Sequence, residues 1–266
     1  MEINFKKNFN LIVFYHLRNL FEQIKIIKLI RNVRYNKEKI KKLQFFSSFM
    51  KEKDLVFDVG ANVGIYSEFF LGLKTKVVAI EPQVKCVKYL EYLFKNNKNV
   101  AIENVALGKN EETGEILISR TNDGHSSMSN DFISSIKKSN RFSNDTYYFF
   151  DRKQEVKIAT LDSLIKKYGI PKFIKIDVEG FEYNVLQGLT QPIKALSFEF
   201  FPDFFDPTKK CIQHLEKLNN YRFNYSLRDF YQLELPKYVT GTELIKIISN
   251  FSEKNIYGEI YCRIEK

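Results

Sequence analysis

From about Asp54 to the carboxyl end, short apolar runs alternate with segments whose hydrophobic residues recur at helical spacing. No other feature constrains the chain as strongly. Strands separated by helices are joined by crossovers and lie parallel in one sheet. The strand candidates are Leu55–Val59, Lys76–Ile80, Val100–Asn104, Lys172–Asp177, Ala195–Phe201 and Ile256–Ile264. Arg222–Leu227 and Tyr231–Leu235 are strand-like, and Glu115–Ile118 and Val156–Ala159 are shorter runs. Helices are expected over Val63–Leu71, Val84–Lys95, Leu161–Tyr168, Phe181–Gly188, Cys211–Leu218 and Glu243–Phe251. The pattern predicts a doubly wound α/β domain over residues 51–266.

Two segments break this rhythm. Residues 119–154 are rich in Ser, Asn and charge and carry the aromatic cluster Tyr147–Phe150, which suits a lid or substrate insertion. Residues 1–50 are basic and helical in pattern, with eleven Lys and Arg against three acids. The remaining 31 basic residues are met by 29 acids, so the extension carries +8 of the net charge of +10. That distribution argues against a nucleic-acid groove across the domain. Phe14, Leu17, Phe21 and Ile24 recur at helical spacing among Arg18, Lys25, Lys28, Arg31 and Arg34. Such a helix either makes peripheral contact with the inner face of a membrane or packs on the domain or on a second copy, as in a homodimer. The run Leu11–Tyr15 is too short to span a bilayer. Cys86, Cys211 and Cys262 show neither a disulfide nor a zinc spacing, and a cytoplasmic setting is expected.

The sharpest local motif is Asp58-Val59-Gly60-Ala61-Asn62-Val63-Gly64, placed between a buried strand and a helix. Gly60 permits a tight turn, and the helix start offers free N–H groups to a ligand. No Gly-Lys-Ser/Thr follows, and the spacing fails the nicotinamide fingerprint. The next strand ends in Glu81, placed to bind both hydroxyls of a ribose. An acid at the glycine turn and an acid on the ribose suit an adenosine bearing an amino-acid tail.

At these residues the chain resembles the class I methyltransferases and, more narrowly, the FkbM family. The resemblance rests on Phe57–Ser67, Ile80-Glu81-Pro82, Asn104–Gly108, Thr160-Leu161-Asp162, Ile174–Glu182, Val185–Gly188 and Phe198-Glu199, in the family's order. It implies a Rossmann-like seven-stranded sheet and S-adenosyl-L-methionine as methyl donor. The acceptor implied is a hydroxyl of a small molecule, commonly a sugar in a glycan or glycolipid, or a secondary metabolite. It also implies cofactor contacts from Asp58, Gly60, Ala61, Asn62, Gly64, Tyr66, Ser67, Glu81, Pro82, Asn104, Ala106 and Asp177. Asp177, at the end of its strand, then faces the methyl-transfer centre.

An alcohol acceptor must lose its proton, to a general base or with the help of a divalent cation. Asp177, His125 and Glu199 are the candidate bases, and Asp177, Glu179 and Glu199 are a candidate oxygen ligand set. Glu182 reads as a solvated or structural acid, and Lys175 as a lysine snorkelling past a sheet edge. Two rivals remain. A nucleic-acid amino-methyltransferase would carry Pro-Pro after the fourth strand, where this chain reads Asp177-Val178-Glu179-Gly180. A cofactor-binding assembly or regulatory module without turnover would keep the same blocks.

Overall fold

The computed structural model describes residues 36–119, 126–139, 150–228, 230–251 and 256–265. The amino-terminal half runs α1 (Asn36–Phe46), β1 (Leu55–Val59), α2 (Ile65–Gly72), β2 (Lys76–Ile80), α3 (Val84–Phe94) and β3 (Val100–Glu103). A middle region follows, with β4 (Ala106–Leu107), β5 (Glu112–Ser119), β6 (Ser126–Ser127), α4 (Asn130–Ser139) and β7 (Phe150–Ala159). The chain then forms α5 (Leu161–Tyr168), β8 (Phe173–Ile176), α6 (Glu182–Gln187), β9 (Ala195–Phe200) and α7 (Phe205–Leu218). It closes with β10 (Tyr221–Leu227), α8 (Gly241–Ser249) and β11 (Gly258–Ile264).

Seven strands make the main sheet in the order β10-β11-β9-β8-β1-β2-β3. All run parallel except β11, which is antiparallel to both neighbours. The chain starts at the centre with β1, moves outward through β2 and β3, then returns to the other side of β1 with β8. In open α/β sheets this reversal leaves a crevice beyond the carboxyl ends of the central strands. The fold is therefore the Rossmann-like, doubly wound one expected.

Helices cover both faces. One core joins Phe57, Ile174, Leu196 and Phe198 of the sheet to α5, α6, α7 and α8. On the opposite face Val56, Val77, Phe173, Ala195 and Tyr261 meet Phe46, Met50 and Phe70. Alternate residues of a strand point to opposite faces, so the apolar runs of β1, β8 and β9 serve both cores. Capping boxes at Thr160 and Thr240 start α5 and α8.

Three departures from the expected elements have local causes. The second helix starts at Ile65 rather than Val63, because Gly64 sits in the left-handed region at its N-cap. Tyr231–Leu235 forms no strand. The Asn224 side chain bonds both the N–H and the C=O of Leu235, while Tyr231 and Leu233 pack on the aromatic core. The helix expected from Cys211 begins at Phe205, with Pro207 in the first turn, where its missing N–H has no intrahelical partner to lose.

The 119–154 segment is partly regular. β6 pairs with β5, α4 follows, and β7 opens at Phe150, so a second sheet forms in the order β4-β7-β5-β6. His125, Tyr147 and Tyr148 lie outside the described residues, as does the amphipathic pattern of Phe14–Arg34. No described helix is long and apolar enough to cross a membrane.

Within residues 40–50, Phe46 and Met50 pack against the sheet. Phe46 is fully buried, its ring 5.2 Å from Phe70 and 6.0 Å from both Tyr66 and Phe173. Phe46→Ala should therefore destabilise the domain by about 3–5 kcal/mol. Urea unfolding measures this, and a loss below about 1 kcal/mol would show that α1 is not part of the core.

Candidate active site at the carboxyl ends of the central strands

The turn after β1 is held against β2. Gly60 and Ala61 both donate to the Ile80 carbonyl at 3.0 Å. Gly60 has φ 81 and lies so close to β8 that a Cβ there would stand 1.8 Å from the Asp177 carbonyl oxygen. Only glycine satisfies both the left-handed backbone and the contact. The turns after β1 and β8 thus touch through backbone alone.

Glu81 ends β2 on the other side of this turn. Its Oε2 accepts from the Asn62 N–H at 2.8 Å and its Oε1 from the Gln83 N–H at 2.9 Å. The two bonds orient the carboxylate before any ligand arrives. Asn104 bridges the carbonyls of Glu81 and Pro82, both at 3.0 Å. The separate motif blocks around Gly60, Glu81 and Asn104 are one hydrogen-bonded unit.

Asp58, Lys175, Ser197 and Tyr261 pair successively across β1, β8, β9 and β11. Asp58 is buried and accepts from Ser67 Oγ at 2.6 Å. Burial pushes its pKa up to about 6, against the opposing pull of Lys175 and Ser67. Lys175 does not snorkel. It stands in a central strand, 2% exposed, with Nζ 2.7 Å from Asp177 Oδ2. Burial pulls its pKa down, but the carboxylates of Asp177, Glu259 and Asp58 outweigh that and hold it above the ordinary lysine range. The Tyr66 ring lies 4.0 Å from Lys175 Nζ and 4.5 Å from that of Lys42. Tyr66 and Ser67 therefore join the site through Lys175 and Asp58.

Beyond Lys175 the chain turns sharply. Glu179, at φ 52, and Gly180, at φ 87, are both left-handed. Glu182 Oε1 accepts from the N–H groups of Val178 and Gly180, and Ser127 Oγ donates to the Glu179 carbonyl at 2.7 Å. Phe132 of α4 presses on Gly180, where a Cβ would come within 2.3 Å of its ring. Glu182 is thus a buried structural acid, and burial raises its pKa to about 7.

Asp177, Glu179 and Glu199 converge, with one carboxylate oxygen from each within 4.8 Å of the others. Glu199 Oε2 is fully buried without a hydrogen-bond partner. Burial, then the charges of Asp177, Glu179 and Glu182, push the Glu199 pKa well above its ordinary value. Ala106 stands two residues past Asn104, its side chain packed with Ile116, Val156 and Ile158. His214 is bonded to the Leu189 carbonyl, away from these acids.

Sequence reasoning missed the buried Lys175, the grip of Ser127 and Phe132 on the turn, and the link from Gln83 Nε2 to Ser126 Oγ at 2.9 Å. A lysine inside the apolar run Phe173–Asp177 was the one available signal for the first. The others join segments about 50 residues apart or adjoin a region of no clear periodicity.

The Glu182 shift has a definite sign. Its folded pKa lies above the unfolded value, so its contribution to stability is complete below about pH 4.5 and is lost as pH rises through about 7. Glu182→Gln keeps the acceptor oxygen without the charge. The variant should exceed wild type in stability at pH 8 by on the order of 3 kcal/mol and match it near pH 4.5. Thermal melts across this range test it, and an equal offset at all pH values would contradict it.

The Methyltransferase FkbM domain model matches residues 58–225. No protein of curated function matches the chain. Among solved structures, a precorrin-6y C5,15-methyltransferase from Geobacter metallireducens is similar at TM-score 0.45 and 10% identity, covering 85% of this chain and 86% of that one. An rRNA methylase from Streptococcus thermophilus is similar at TM-score 0.40 and 10% identity, covering 84% and 94%. The family assignment rests on the sequence match, which spans more than half the chain and contains both turns of the site. The chain belongs to the FkbM family of methyltransferases.

Proposed function

We propose that the protein transfers a methyl group from S-adenosyl-L-methionine to a hydroxyl of a sugar, either in a glycan or glycolipid or in a small secondary metabolite. The observation that carries this is Glu81, whose carboxylate is oriented by two backbone N–H groups beside the Gly60 turn. That geometry suits the paired hydroxyls of an adenosine ribose. The sulfonium donor supplies an electrophilic methyl. The chain orients the acceptor in line with it and takes up the hydroxyl proton.

Asp177 is the favoured general base. Lys175 fixes its Oδ2, and the touching turns set it next to Gly60. Glu199 is the alternative within the same cluster. The partly exposed rings of Phe201 and Phe204 pack on Phe132, which presses on the acidic turn at Gly180. Acids with aromatic rings favour a sugar, whose hydroxyls bond to acids and whose C–H faces pack on rings.

Calorimetric titration should show binding of S-adenosylhomocysteine and not of NAD. Glu81→Ala should weaken it by about 1–3 kcal/mol, and unchanged affinity would remove Glu81 from the ribose site.

Asp177→Asn should lower turnover with a sugar acceptor by about 10²–10⁴-fold while S-adenosylhomocysteine affinity stays within a few-fold. Retained turnover would move the base to Glu199 or to His125.

A further inference from the structure

We propose that Asp177, Glu179 and Glu199 bind a hard divalent cation of the magnesium or manganese class. One oxygen from each carboxylate already lies within 4.8 Å of the others. Around an octahedral ion with bonds of about 2.1 Å, ligand oxygens stand about 3–4 Å apart, so a small contraction completes three corners. The donor set is all oxygen, without His or Cys, which favours magnesium, manganese or calcium over zinc or copper.

The Glu199 carboxylate points independently to a ligand. Glu199 is half-buried, but its Oε2 is closed off from solvent and has no hydrogen-bond partner. Leaving a carboxylate oxygen in that state is costly, because neither water nor a protein donor replaces its lost hydration. Its nearest charges are acidic, Asp177, Glu179 and Glu182, and they deepen the cost. Lys175, the cation at the cluster, is bonded to Asp177 Oδ2 and also faces Asp58 and Glu259. A divalent ion among the three acids supplies the missing partner and offsets their repulsion.

The proposal deepens the reading of this corner as the methyl-transfer centre. It rests on that reading only for the ion's role, which is to lower the pKa of an acceptor hydroxyl that it coordinates. Binding of the ion does not depend on it.

Manganese titrated into the full-length protein without nucleoside, followed by electron paramagnetic resonance, tests the site. Saturable uptake of a single ion per chain is expected, displaced by magnesium. Glu199→Gln and Glu179→Gln should each weaken uptake by about tenfold or more. Thermal melts control for folding. Without metal, Glu199→Gln should be no less stable than wild type, since Oε2 makes no hydrogen bond that the change would lose, and manganese should raise the melting temperature of wild type only. No saturable uptake at roughly millimolar manganese, or uptake unchanged in Glu199→Gln, would overturn the site. Manganese uptake by a protein that binds no S-adenosylhomocysteine would support the site and overturn the methyl-transfer reading instead.

Discussion

A buried lysine in the middle of a parallel sheet organises the rest of this structure. Lys175 pairs in register with Asp58 on one side and Ser197 on the other, and its Nζ reaches Asp177 two residues further along β8. An unpaired ammonium in that position would cost several kcal/mol. The polar row therefore has to be complete, and its members are not independent. Asp58 is steadied by Ser67, and Glu259 takes hydrogen bonds from Ser197 and Tyr261. The Tyr66 ring covers the lysine itself. The network couples the residue at the end of β1 to the residue at the end of β8, the two places where ligand chemistry is expected.

The acidic turn beyond Lys175 is built at a cost. Two successive left-handed residues, one of them Glu179, require support from outside the turn. Glu182 holds it from below, while Ser127 and Phe132 hold it from the middle region. The same strand β6 reaches Gln83 through Ser126, so one short strand touches both the Glu81 side and the acid side of the crevice.

The parallel sheet was legible because its strands are short apolar runs punctuated by helices, and the glycine turn because few backbones other than a ligand-binding loop need Asp58-Val59-Gly60 at that point. That Glu81 stands beside the Gly60 turn was legible from its place at the end of the next strand. Tyr231–Leu235 was misread because its burial is real but its backbone is bonded to the Asn224 amide, which no periodicity reports. Lys175 was misread because sequence shows an interrupted apolar run and not the three carboxylates around it. The convergence of Asp177, Glu179 and Glu199 depends on the left-handed step at Glu179 and on the β8–β9 register, neither of which spacing alone conveys.

The central claim is that the crevice between the turns of β1 and β8 holds the nucleoside of the methyl donor. A crystal structure of the complex with S-adenosylhomocysteine tests it most directly. The account predicts the ribose hydroxyls on Glu81, the amino-acid tail along the Gly60–Gly64 turn, and the sulfur facing Asp177 and Glu199. Nucleoside bound elsewhere, for example in the cleft lined by Arg222, Lys237 and Arg263 at the outer edge of the sheet, with Glu81 free of it, would contradict the account.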